Sequence, residues 1–529
     1  MGNTTTNKKK GKSGKPTAVK AVVKDELVPL VDGPEIFARM EKELLKAKDY
    51  IYLTAWLLHP DFSLKSQPLR QILESKAAKG VDVRILWCDL DVMMGHFGPA
   101  WDKVKAAAWE TTEATKLIAK GIKVHVSKQP IEGMGMETLE DLASDILKYP
   151  VVIASHHQKS LVIDGRVAFC SGCDIVEHTK HSEKWHDASI MIRGRGVHGV
   201  EENFVNRWNE EAKGSKGFTE LNVNPLARES AKCTTIRTIP GTYTPIREIE
   251  KGYLSAIRQA KKAIYLENQY LRDPDIGKAL VEALGRNVDV TVILPKLPEE
   301  ANLKHDTLDT IPARISVYSQ YRILKALISQ EPGAVSAHYA TLKKLKTNLS
   351  QHLKILQPKV RARPYIHAKV MIVDEHLSII GSANTNGRSM NGKADSEINI
   401  RVDDQPFASE LRQKLDKSLG GKLGAYDEQA IDGDEQVSQI NKKHIAAINS
   451  EIDKYANKAG GWAAYQGYPA WAPKAKWIRK QIREGVADAS RWGVISALDV
   501  VLPGIQKALD ASTSEEFRDY LTDSVLNLI

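Results

Sequence analysis

His157-Gln158-Lys159-Ser160-Leu161-Val162-Ile163-Asp164 and His367-Ala368-Lys369-Val370-Met371-Ile372-Val373-Asp374 are two copies of one pattern, His-x-Lys-x4-Asp, set 210 positions apart. The register continues past the core. Counting from each His, a small pair stands at +14 and +15 (Ser171-Gly172 and Gly381-Ser382), a polar side chain at +17 (Asp174 and Asn384) and an acid at +30 (Asp187 and Glu397). A single His-x-Lys would be an accident of composition; a second copy with matching followers predicts two similar lobes, each supplying half of one site.

Between His and Asp each copy runs through β-branched and apolar residues, the composition of a strand. Residues i and i+2 of a strand share a face, so the His and Lys of each copy project to one side. Two facing copies would place two imidazoles and two ammonium groups around one pocket. The ammonium groups suit the oxygens of a phosphodiester. One imidazole can attack phosphorus while the other protonates the leaving oxygen. Each ring needs an orienting carboxylate on its far nitrogen, and Asp187 and Glu397 are the candidates. Asp164 and Asp374 lie an odd number of positions from their His and are read as structural.

These residues resemble the phospholipase D superfamily, named for its HxKx4D motif. The second copy continues as Ile380-Gly-Ser-Ala-Asn-Thr-Asn-Gly-Arg-Ser-Met390 and Asp395-Ser-Glu-Ile398, and is preceded by Ile264-Tyr-Leu-Glu-Asn-Gln-Tyr270. With Trp185-His-Asp187 and Asn203-Phe-x-x-Arg-Trp208, these stretches are similar to the phosphatidylcholine-type branch of eukaryotes and its bacterial relatives. The resemblance covers roughly residues 28–415. It implies that His157 is the nucleophile of a phosphohistidine intermediate and His367 the general acid, then base. It further implies that Lys159 and Lys369 hold phosphate oxygens, that Asn384, Asp174 and Ser382 bind substrate, and that Asp187 and Glu397 orient the imidazoles. Ser171 stands where the more usual residue is Gly, a departure the turn must accommodate. No metal and no organic cofactor is implied.

At 529 residues the chain can bury one large core or two medium ones. A hydrophobic content of 42% with mixed charge predicts a soluble globular protein. No apolar run approaches the roughly 18 residues of a membrane span. The net charge of +9 is local: residues 1–24 hold seven Lys and no acid, leaving 68 basic against 66 acidic residues elsewhere. That tail is expected to be disordered, and it can adsorb to anionic lipid or nonspecifically to nucleic acid. It has no apolar core of a signal peptide, so cytoplasmic synthesis is expected. The four Cys (Cys88, Cys170, Cys173 and Cys233) are read as free buried thiols, since Cys170-x-x-Cys173 lacks the second pair of a zinc site. Gly194-x-Gly196-x-x-Gly199 has the shape of a dinucleotide fingerprint, but alone it is weak and is read as a turn.

The coarse periodicity alternates helix and strand: helix 33–48, strand 50–57, helix 68–79 and strand 81–87, then helix 245–261, strand 263–269, helix 274–286 and strand 288–294. This predicts an α/β fold of two similar phospholipase D-type lobes with the active site at their interface. The expected domains are a basic tail 1–24, a first lobe 25–215, a second lobe 233–419 with a helical insertion 300–358, and a helical C-terminal extension 420–529. The aromatic stretch Trp462-x-x-Tyr465-x-x-Tyr468-Pro-x-Trp471 in that extension is read first as packing and second as a lipid interface.

The expected activity is hydrolysis of the distal phosphodiester bond of glycerophospholipids to phosphatidic acid and headgroup, with transfer to an alcohol sharing the intermediate. The alternatives are a nuclease, which would favour a broadly basic body, and a non-catalytic lipid-binding scaffold, whose mark would be a lost His or Lys. The expected partner is a phospholipid membrane surface, met peripherally, with no specific nucleic acid. Bacterial members of the branch include effectors delivered by type VI secretion, so a secretion apparatus and an immunity protein are candidate partners. Both motifs lie in one chain, so a monomer suffices for the site.

Overall fold

The structure, a computed structural model, describes residues 25–426 apart from 89–106, 128–154, 182–183, 216–217, 224–229, 231, 241–244, 296–319, 321, 337–344, 346–349, 360–363 and 393. The basic tail and nearly all of the expected C-terminal extension lie outside the described residues.

Two mixed sheets organise the molecule. The first, seven-stranded among the described residues, is built from β1 (Glu26–Val31), β2 (Tyr50–Ala55), β3 (Asp82–Cys88), β4 (Lys123–Ser127), β5 (Ser160–Ile163), β6 (Val167–Ser171) and β8 (Ala188–Arg193), in the order β1-β8-β6-β5-β2-β3-β4. The second, nine-stranded, comprises β9 (Cys233–Ile239), β10 (Ile246–Arg247), β11 (Ala263–Glu267), β12 (Asp289–Ile293), β13 (Leu353–Pro358), β15 (Val370–Val373), β16 (Leu377–Gly381), β17 (Glu397–Asp403) and β18 (Leu423–Ala425), in the order β10-β9-β17-β16-β15-β11-β12-β13-β18. The orders superpose: β2 lies parallel to β3 and antiparallel to β5, as β11 does to β12 and β15. Even the register repeats, Ile51 facing Ile163 as Ile264 faces Val373.

Helices cover the sheets where the sequence alternates. α1 (Gly33–Leu44) buries Ile36, Phe37, Met40 and Leu44; α2 (Leu69–Ala78) ends before Gly80, whose φ of 84° suits a residue without Cβ. α3 (Ala107–Ile118), α4 (Val197–Glu211), α5 (Glu248–Gln259), α6 (Pro274–Gly285) and α7 (Gln405–Leu419) follow. α6 begins with a Pro after Asp273, whose side chain accepts from Ile276 N at 2.9 Å. The expected first helix ends four residues early, at Leu44, and Leu45 is 44% exposed. The expected helical insertion is corrected in part. Residues 320 and 322–329 are helical, but Leu353–Pro358 is β13, lying parallel to β12 as β4 does to β3. Its Lys, Leu and Ala content concealed a buried strand.

Among the described residues three apolar cores result. One lies under α1 and α2, one under α5 and α6, and the third is shared between the sheets: Val162, Ile190, Phe204 and Trp208 cluster with Val370, Ile372, Ile398 and Phe407. β5 and β15 are therefore covered on both faces and buried throughout, which explains their unbroken apolar runs. At about 1.5–3 kcal/mol per buried large side chain, this shared layer is what joins the lobes. The Gly194-x-Gly196-x-x-Gly199 turn serves that packing. A Cβ on Gly196 or Gly199 would strike Cys233 or Thr235 of β9, so the spacing needs no nucleotide to account for it.

Candidate active site

The two sheets pack through β6 and β8 of one against β16 and β17 of the other, and the segments before β5 and β15 cross to the opposite lobe. Ile366 pairs in parallel with His186 through two short strands, β14 (Tyr365–Ile366) and β7 (Trp185–His186). The repeat supplies the mirrored contact, a bridge between His156 and Ser396. Each motif histidine is thereby carried to an acid of the other lobe. His157 Nδ1 lies 2.9 Å from Glu397 Oε1, and His367 Nδ1 lies 2.6 Å from Asp187 Oδ2. All four groups are buried.

The sequence supplied the acids but not the crossing. A strand pattern carries no information about which sheet a neighbour belongs to. The strands begin only at Ser160 and Val370, so His157, Lys159, His367 and Lys369 precede them rather than lying on them.

The lysines are equally enclosed. Lys159 Nζ donates to His157 O at 2.9 Å, lies 3.7 Å from Asp174 Oδ2, and stands 5.1 Å from the Trp56 ring centre. Lys369 Nζ donates to His367 O at 2.5 Å and to Gln269 Oε1 at 3.4 Å. Aromatic rings wall the imidazoles: Trp56 meets His157 edge-on at 5.1 Å, and Trp185 meets His367 at 4.9 Å. Two buried ammonium groups beside the two imidazoles are placed to suit the oxygens of an anion.

The remaining expected residues divide. Asp174 Oδ1 accepts from Leu57 N at 3.0 Å while its other oxygen faces Lys159. Asn384 is buried, and its Oδ1 has no hydrogen-bond partner, as suits a group awaiting a ligand. Ser382 Oγ donates to Glu397 Oε2 at 2.5 Å, so its hydroxyl supports the acid rather than facing a phosphate. Asp164 and Asp374 sit at the far ends of β5 and β15, both at φ 54°. Asp164 accepts from Lys48, Asp49 and Tyr50 N, and Asp374 from Lys261, Lys262 and Ala263 N, at 2.7–2.9 Å. Each fastens the start of β2 or β11 to the motif strand.

The small pairs also have a reason. A Cβ on Gly172 would fall inside contact distance of Asp187 Oδ1 and 3.1 Å from Lys369 Cδ. A larger residue there would have to displace Asp187 and crowd Lys369 of the other lobe.

The acids are electrostatically unlike. Burial opposes ionisation of Glu397, but His157, Lys159 and Ser382 outweigh it and hold its carboxyl below the usual range. Burial pushes Asp187 up to about 7, against Lys369, the Ala188 N–H and His186.

Residues beyond the expected set complete the frame. Gln158 faces away from the pocket; its Oε1 accepts from Asn203 Nδ2 at 2.8 Å and Arg207 Nη1 at 3.0 Å, and its Nε2 donates to Glu397 O at 3.3 Å. His186 lies between Asp32 and Glu267. The sequence carries the signal for both, in Asn203 and Arg207 of Asn203-x3-Arg207, His186 of Trp185-His-Asp187 and Glu267 of Glu267-Asn-Gln-Tyr270, residues to which the resemblance gives no role. Among the described residues no cluster of His, Cys, Asp and Glu could hold a metal ion, and no helix is long and apolar enough to cross a membrane. All four cysteines are buried and outside any disulfide.

The chain is similar to known proteins over this same region. A family model described as "Cardiolipin synthase, PLD-like domain" matches residues 253–419. Phospholipase D A of Dictyostelium discoideum is 25% identical over 71% of this chain and 32% of its own length; Phospholipase D1 of Saccharomyces cerevisiae is 23% identical over 81% and 31%. The chain thus spans about a third of those two relatives. A cardiolipin synthase of Listeria innocua is 24% identical over 75% of this chain and 68% of its own. Among solved structures, phosphatidylserine synthase of Haemophilus influenzae shares the fold, with a TM-score of 0.52 at 14% identity, over 78% of this chain and 93% of that one. Residues 253–419 thus resemble a PLD-like domain, and the chain is similar at 23–25% identity to phospholipases D and to a cardiolipin synthase.

Proposed function

We propose that the chain is a phospholipase D that cleaves the distal phosphodiester bond of glycerophospholipids through a phosphohistidine. The observation that carries this reading is the crossed pairing, His157 on Glu397 and His367 on Asp187, with a buried lysine beside each ring. With Nδ1 engaged by a carboxylate, Nε2 is the reacting nitrogen of each imidazole. His157 Nε2 attacks phosphorus, and Lys159, Lys369 and Asn384 take the charge on its oxygens. The bond to the headgroup oxygen breaks as that oxygen receives the proton of His367. Water then gives a proton to His367 and attacks phosphorus, the P–N bond breaks, and phosphatidic acid leaves. Glu397, held ionised, suits the nucleophile's half. Asp187, with its carboxyl near 7, suits a pair that passes one proton back and forth.

Cardiolipin synthases are matched at the same level of identity as the phospholipases. Phosphatidyl transfer to an alcohol in place of water is therefore the second reading, and it uses the same intermediate. The expected setting is peripheral, at a phospholipid surface. Delivery into rival bacteria is the further role implied by the branch resemblance; an absence of growth inhibition when the chain is directed to a bacterial periplasm would overturn it.

The deciding experiment is headgroup release from mixed phospholipid vesicles by wild type and His157→Ala, with ethanol and plasmid DNA in parallel. Phosphatidic acid from wild type alone, and phosphatidylethanol when ethanol is present, are the expected products. Cut DNA beside intact lipid would replace this reading with a nuclease. Cleavage of neither would favour the lipid-binding scaffold.

A further inference from the structure

Two consecutive residues of the first lobe hold the reacting histidine of the second. His186 O accepts from His367 N at 2.8 Å and from Ala368 N at 3.0 Å, and Asp187 takes the His367 ring. The mirrored dipeptide is Ser396-Glu397: Ser396 O accepts from His157 N at 3.0 Å, and Glu397 takes the His157 ring. The halves differ at the residue before the acid. Ser396 offers a hydroxyl, 3.1 Å from His156 Nδ1. His186 offers an imidazole, fully buried, with a carboxylate on each nitrogen.

Asp32 Oδ1 lies 2.8 Å from His186 Nδ1, and Glu267 Oε2 lies 3.0 Å from Nε2. Asp32 belongs to the first lobe and Glu267 to the second. A ring donating from both nitrogens is an imidazolium. Its surroundings are arranged to keep it so. Asp32 also accepts from Asp187 N at 3.3 Å and from Ser418 of α7 at 2.5 Å, while Tyr265 donates to the other oxygen of Glu267. Asp32 stands at φ 66°, ψ 152°, a backbone that non-glycine residues seldom adopt and that persists only where contacts over-determine it.

We propose that His186 is a positioning residue of the His367 half-site: a buried imidazolium, clamped between Asp32 of one lobe and Glu267 of the other, that fixes Asp187 against His367 and opposes its protonation. This rests on the reading of His367 as proton donor. The charged groups around it are Asp32, Glu267 and Asp187, with Lys369 and Asp174 beyond Asp187. Burial drives His186 toward the neutral form, but Glu267 and Asp32 prevail and raise it to about 10, so the charge persists through neutral pH. Without it Asp187 loses a cation that opposes its protonation, and a neutral Asp187 supports an imidazolium at His367 poorly. An alkoxide headgroup, which needs a proton to leave, then suffers; p-nitrophenolate, which does not, is spared.

The test compares full-length wild type, His186→Gln and His186→Gln/Glu267→Gln on vesicles carrying phosphatidylcholine or phosphatidyl-p-nitrophenol. For His186→Gln, kcat on phosphatidylcholine should fall about tenfold or more, and that on the nitrophenyl lipid less than about threefold. The acid limb of the kcat profile should move up by about one pH unit. The double variant, freed of one stranded carboxylate, should regain Tm but keep the gap between the two lipids. Equal loss on both lipids with an unmoved profile, or full recovery in the double variant, would reduce His186 to a structural pin and overturn the proposal alone. Wild type cleaving neither lipid would overturn it together with the phospholipase reading.

Discussion

At the scale of single residues, the site depends on two carboxylates that lie across the lobe boundary from the rings they hold. Asp187→Asn and Glu397→Gln keep shape and remove charge, so each should lower kcat on phospholipid by about 10²–10⁴-fold. They should differ in kind. Under the proposed mechanism Glu397→Gln should impair the nucleophile, and the covalent intermediate should not accumulate on rapid quench. Asp187→Asn should impair protonation of the leaving group, and intermediate should still form from the nitrophenyl lipid. Gly172→Ala places a methyl against Asp187 and Lys369 and should cost about 1–3 kcal/mol of stability along with activity; denaturant unfolding beside a kcat assay checks both. These positions were legible as residue types because the repeat marked them. Their pairing was not, because spacing along a chain says nothing about which lobe a side chain faces.

At the scale of elements, Asp164 and Asp374 each close three backbone N–H groups at the start of a neighbouring strand. Asp374→Ala should destabilise by roughly 1–3 kcal/mol and leave KM unchanged, which separates a strand fastener from a pocket residue. The backbone donors outweigh burial and hold the Asp374 carboxyl below 3.8, so its stabilisation is present above that pH and is lost as pH falls through the depressed value. The buried His186 works in the opposite direction. Its folded pKa of about 10 stands above the ordinary 6.5, so its contribution is complete below 6.5 and is lost as pH rises toward 10. The urea midpoint of wild type should therefore fall between pH 6.5 and 9.5 more steeply than that of His186→Gln; parallel curves would remove the ion cluster from the account. Element type was largely readable from periodicity, as for α1, α2, β2 and β3. β13 was not, since a strand of LKILQP next to Lys-rich chain has the composition of a helix.

At the scale of the whole molecule, the shared core is expected to make the lobes one cooperative unit. Phe204 of α4 and Phe407 of α7 are buried in the same cluster although they come from different lobes. Phe204→Ala and Phe407→Ala should each cost about 3–5 kcal/mol and shift a single calorimetric transition. Two separated transitions, with only one moved by each substitution, would show lobes that fold apart.

By itself the sequence determined the duplication, the alternation of helix and strand, the histidines, lysines and acids of the site, and the outlying place of Asp164 and Asp374. All of these follow from periodicity and from chemistry carried by single side chains. The tertiary structure alone decided that each acid serves the opposite lobe's histidine, that Gly172 must be small, and that His186 stands between two carboxylates. Those features are distances between residues far apart in the chain, set by how two sheets pack face to face.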